Sequence, residues 1–60
     1  MSVKVIKNIV NPIETLATVG EVFQVTKRYN AYGTEWVDLT NDRTSLNVQV
    51  SAFNYFFKEA

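Results

Sequence analysis

Apolar and polar positions alternate with a period of two in several short stretches of this chain, and that period predicts strands. In "GEVFQVTKRY", Phe23 and Val25 share one face while Val22, Gln24 and Thr26 share the other. In "GTEWVDL", Glu35, Val37 and Leu39 alternate with Trp36 and Asp38. "LNVQV" alternates strictly, with Leu46, Val48 and Val50 inward and Asn47 and Gln49 outward. The N-terminal "VKVIKNIV" begins the same way, Val3 and Val5 against Lys4. The period then breaks, because Ile6 joins Val5 and Ile9 joins Val10. Its β-branched side chains still favour a strand, read here from Val3 to Ile9.

The connections are equally readable. "NAYG" separates the second and third strands with turn formers at Asn30 and Gly33, which predicts a hairpin with a loop of about four residues. "TNDRTS" is a second turn, in which Asp42 is expected to bond local backbone amides. "NPIE" has a helix-start pattern, with Asn11 able to cap, Pro12 at the first helical position and Glu14 three residues after the cap. "TLATVG" then follows, rich in β-branched residues and closed by Gly20, so a short helix and an ordered loop fit residues 11–17 equally well. In the tail "SAFNYFFKEA", Ser51 can cap, and Val50, Phe53, Phe56 and Phe57 recur at helical spacing. The pattern predicts a mainly β domain of four to five short antiparallel strands with a short C-terminal helical turn that plugs one end. A sheet with one apolar face must curl on itself or pair with another chain, and a small partly open barrel is the economical form. Phe23, Val25, Val37, Val48 and Phe53 are the expected core.

Length sets the energetic frame. Sixty residues make one domain. A chain of this size buries only about 60% of its unfolded surface. Disulfides and histidine-bound metals cannot help, because the sequence contains neither Cys nor His. One Trp, three Tyr and four Phe supply an aromatic core instead. The missing cysteines fit a reducing, cytoplasmic compartment. The N-terminus lacks an apolar h-region, and no apolar run approaches the roughly 20 residues of a membrane span, so neither secretion nor a membrane partner is expected. Six basic and six acidic side chains cancel, which removes the bulk charge of a nonspecific DNA binder.

The series "KVIK", "TVGEVFQV", "EWVDLTND", "VQVSAFNYFF" resembles small bacteriophage and prophage proteins with an SH3-like barrel. The matching residues are Thr18 to Val25, Val37 to Asp42, and Phe53 with Phe56. This chain departs from that pattern in its long "NIVNPIETLA" entry. The resemblance implies an SH3-like barrel and a nonenzymatic accessory factor that binds a host or phage macromolecule.

Candidate chemistry is sparse. Without His or Cys the common general base, thiol nucleophile and soft metal ligands are missing, so neither an enzyme nor a cofactor is expected. Glu21 and Glu35 are placed to face each other across the hairpin, but a carboxylate pair needs a pocket that shifts its pKa values. "NDR", residues 41–43, lacks the spaced oxygens and closing Glu of a calcium loop. Arg28, Tyr29, Tyr32 and Trp36 form the best candidate contact cluster, since Trp, Tyr and Arg dominate protein hot spots. Tyr55 and Phe57 of the aromatic tail extend the set, as a partner site or an interface for self-association into a homo-oligomer. The alternative is single-stranded nucleic acid, bound by Lys4, Lys7, Lys27 and Arg28 around Tyr29 and Trp36, but neutral net charge and exposed aromatics favour a protein. Packing alone is the third account of the hairpin, with Trp36 covering the sheet and Lys27 laid over an aromatic face.

Overall fold

The computed structural model describes residues 1–60. The chain runs β1 (Ser2–Val5), β2 (Ile9–Val10), β3 (Thr15–Ala17), β4 (Val22–Ala31), β5 (Thr34–Thr40), β6 (Ser45–Gln49), α1 (Val50–Phe56) and β7 (Phe57–Glu59). Five strands form one antiparallel sheet in the order β6-β5-β4-β1-β7, and β2 pairs with β3 in a separate two-stranded ribbon. This is the expected mainly β, SH3-like, partly open barrel. It does not close, because β6 and β7 each keep an unpaired edge.

β4 makes the sheet curl. Its first residues, Val22 to Gln24, pair with β1, and the stretch from Gln24 to Ala31 pairs with β5. Between Val25 and Lys27 the register shifts and Thr26 is left over, its hydroxyl donating to the Asp38 carbonyl at 3.3 Å. A bulge of this kind bends a strand and increases its twist. The two halves of the sheet therefore fold their apolar faces towards each other.

The core consists of Val3, Val5, Ile9, Ala17, Phe23, Val37, Leu39, Phe53 and Phe57, with Val25, Leu46 and Val48 half-buried against it. Phe57 is central. Its ring meets Phe23 edge-on at 5.8 Å and stacks on Phe53 at 5.6 Å. At 4% exposed it is not free to contact a partner, which corrects its expected place in the contact set. The cause is β7: directly after α1 the chain re-enters the sheet beside β1, and the Val5–Phe57 pairing turns the ring inward.

Four local expectations also change. The stretch from Val3 to Ile9 is not one strand. The Gly20 N–H donates to the Val5 carbonyl (2.9 Å) and the Ile6 N–H donates to the Phe56 carbonyl (2.7 Å), so the chain leaves the sheet after Val5. Residues 11–17 are neither helix nor plain loop. The Asn11 side-chain oxygen accepts the N–H groups of Ile13 and Glu14, each at 2.8 Å, as a helix cap would. The β-branched run behind it propagates as β3 instead, pairing back onto β2. In the second turn Asn41, not Asp42, holds the backbone, accepting from the N–H groups of Arg43 and Thr44 at 2.9 Å each. At the tail, α1 begins after Gln49 with no side-chain cap, so Ser51 does not cap it.

Candidate functional site

The β4–β5 connection is tighter than a four-residue loop. Strand pairing continues to Ala31–Thr34, leaving only Tyr32 and Gly33 between the strands. Both have positive φ, 55° and 74°. Two positive values in a two-residue loop are the requirement of the type I′ turn, whose twist matches that of the flanking strands. Gly meets that requirement freely, and Asn or Asp tolerates it. A bulky aromatic does not, at a cost of about 1–2 kcal/mol. Tyr32 recovers nothing by packing, since it is 99% exposed.

Behind the tip, the outer face of β4, β5 and β6 carries a connected polar and aromatic surface. Tyr29 pairs across to Trp36, and Trp36 to Gln49. One step further on, Lys27 pairs with Asp38 and Asp38 with Asn47. Asn47 Nδ2 donates to Tyr29 Oη at 2.6 Å and to Asp38 Oδ1 at 2.7 Å. The Lys27 ammonium lies 5.2 Å from the Tyr29 ring centre. Trp36 Nε1 donates to the Ala31 carbonyl at 3.1 Å, which fixes the indole beside the turn. Tyr29 and Trp36 are both half-buried, with their polar atoms engaged. They form a held surface continuous with the exposed Tyr32 ring.

The remaining expected residues do not join this surface. Arg28 pairs with the buried Val37, on the opposite face of the sheet. There its guanidinium sits 5.4 Å from the Phe53 ring centre and 3.5 Å from Glu35. Tyr55 lies on α1, its hydroxyl accepting from Lys7 Nζ at 3.3 Å. Lys4 faces outward between the buried Val3 and Val5, directly opposite Lys58. The cations that would have encircled Tyr29 and Trp36 for a nucleic acid are thus dispersed, and only Lys27 remains beside them.

Glu21 and Glu35 do not meet either. Glu21 holds the 41–44 turn to the β3–β4 turn. Its carboxylate accepts from Arg43 Nε (2.8 Å), a second Arg43 nitrogen (3.1 Å), Asn41 Nδ2 (2.9 Å) and the Thr18 N–H (3.2 Å). Arg43 also reaches the Leu16 carbonyl at 2.6 Å. The Arg43 guanidinium lowers the Glu21 pKa to about 2, assisted by Asn41 and Thr18 and opposed by partial burial. The same pairing raises the Arg43 pKa. This cluster joins turns and uses every carboxylate oxygen internally.

Sequence reasoning missed the exposed apolar side chains of the β2–β3 ribbon. Ile13 is 91% exposed at the turn, and Val10 beside it is exposed too. The signal was the isoleucine inside "NPIE", which a turn does not require. No pocket indents the surface. No helix is long and apolar enough to cross a membrane. Comparison of the chain with protein-family models, with curated proteins and with solved structures yields no match.

Proposed function

We propose that this protein is a nonenzymatic module that binds another protein through Tyr32 and the adjoining Tyr29–Trp36 face, and thereby modulates it. This is the behaviour implied by its resemblance to small phage and prophage barrels. The observation that carries the reading is Tyr32 itself. Its backbone conformation disfavours an aromatic, and its ring touches solvent on nearly all sides. Folding gains nothing from that choice, whereas binding gains a large amphipathic side chain with few rotors to freeze. Strained residues of this kind concentrate at functional sites.

Affinity capture from a lysate of the source cells, with wild type, Tyr32→Asn and Trp36→Ala compared, tests the reading. A specific protein should be retained by wild type, lost by Tyr32→Asn and weakened by Trp36→Ala, with all three folded. Full retention by a folded Tyr32→Asn protein would move the contact surface elsewhere. Titration with labelled single-stranded oligonucleotides provides the contrasting outcome. Binding that weakens steeply with salt would replace a protein partner by a nucleic acid.

A further inference from the structure

The main sheet ends on β6 and β7, each with one free edge. The two edges are guarded differently. β7 is three residues long and carries Lys58 and Glu59. β6 is five residues, Ser-Leu-Asn-Val-Gln, with no charge and no proline. Shortness, charge and proline are the usual protections against edge pairing, and β6 has only modest length in its favour.

The ladder also fixes which backbone groups face that edge. The Asn41 N–H donates to the Thr44 carbonyl at 3.0 Å, immediately beyond the Thr40–Ser45 pair. Hydrogen-bonded and non-hydrogen-bonded pairs alternate along an antiparallel ladder. Leu46 and Val48 therefore direct their backbone groups to β5, while the N–H groups of Ser45, Asn47 and Gln49 face the free edge.

We propose that β6 pairs antiparallel with β6 of a second copy of this chain, about a two-fold axis at Asn47. In that register Ser45 lies opposite Gln49, Leu46 opposite Val48, and Asn47 opposite its own copy. Apolar side chains meet on the inner face, polar ones meet on the outer face, and no charge enters the interface. A slip of one residue would set Val48 against Asn47 and lose this match. Leu46 and Val48, only half-buried in one chain, gain cover from the partner copy. The strand is thus complementary to itself, which a two-fold interface requires. The two hairpin tips would project from opposite ends of the extended sheet.

Sedimentation equilibrium between about 10 μM and about 1 mM tests the pairing, since so small an interface sits at the weak end of specific association. A reversible monomer–dimer equilibrium is expected. Amide exchange read by NMR over the same range should slow at Ser45, Asn47 and Gln49 as concentration rises and stay unchanged at Leu46 and Val48. Asn47→Lys places two like charges at the axis and should weaken the dimer at least about tenfold. A monomer at every concentration overturns the proposal, and so does a dimer that leaves Asn47 exchange unaltered. Association that survives Asn47→Lys but is lost in Tyr32→Ala or Tyr55→Ala would assign the contact to the tip or the tail instead. If Asn47→Lys fails to fold, the wild-type exchange pattern decides.

Discussion

Two aromatic residues define the extremes of what one side chain does here. Phe23 is fully buried and meets Phe57 edge-on. Replacing it with Ala removes a ring from the centre of the core, at a cost of about 3–5 kcal/mol. A domain of this size holds only about 3–9 kcal/mol in total. Phe23→Ala should therefore be largely unfolded at room temperature, and a circular dichroism melt within a few degrees of wild type would contradict its central placement. Tyr32 is the reverse case. Tyr32→Asn puts a residue tolerant of positive φ into the turn and removes no packing. It should be stabilising, by about 1 kcal/mol or a rise of about 4–8 °C in Tm. A lowered Tm would mean that the ring contributes to folding, and a contact role would no longer be needed to account for Tyr32.

At the scale of elements, two ionic arrangements make opposite predictions. Lys4 on β1 and Lys58 on β7 are directly opposed. Like charges across a strand pair destabilise, so Lys58→Glu should stabilise by about 0.2–1 kcal/mol. The gain should shrink in high salt, which separates charge from any change in packing. Glu21 and Arg43 make the favourable arrangement, tying the β3–β4 turn to the β5–β6 turn. The Glu21 pKa is lowered in the fold to about 2 from an ordinary 4.5. A depressed carboxylate stabilises fully above its unfolded value and loses that contribution as pH falls through the folded one. The Tm difference between wild type and Glu21→Gln should thus be constant above about pH 5 and should narrow between about pH 4.5 and pH 2. At neutral pH Glu21→Gln should cost about 1 kcal/mol of stability, since the Glu21 side chain is only 18% exposed but Arg43 is largely solvated. A gap that stays level down to pH 2 would show that the carboxylate charge does not hold the turns together.

For the whole molecule, the last strand is decisive. β7 brings the C-terminus beside β1 and carries Phe57 into the core between Phe23 and Phe53. Wild type should give a mainly β far-UV spectrum and one cooperative unfolding transition. A chain ending at Phe56 should lose that transition altogether. Retained cooperative melting in the truncated chain would make α1 alone the plug, as the helical spacing of the tail first indicates. The four strong strands, the Phe23 and Phe53 part of the core and the turn positions were legible because each depends on local period or on turn chemistry. The separate β2–β3 ribbon was not legible, because Asn11 and Pro12 present the same signal to a helix start and to a turn. Only the strand partners of Ile9 and Val10 distinguish the two.

The candidate contact surface divides along the same line. Alternation and turn residues act over a few positions, so the linear pattern alone specifies a mainly β domain with Phe23, Val37 and Phe53 inside and an aromatic-rich hairpin at residues 25–37. Which aromatics are available for contact depends on long-range packing. The bulge at Thr26 reverses the facing of the rest of β4, which sends Arg28 to the Phe53 side and sets Tyr29 beside Trp36 on the outer face. The pairing of β7 with β1 withdraws Phe57 into the core. The tightness of the turn gives Tyr32 its positive φ and its full exposure. Each of these outcomes depends on register between strands distant in sequence. A shift of one residue reverses which face a side chain occupies, and no local pattern records that shift.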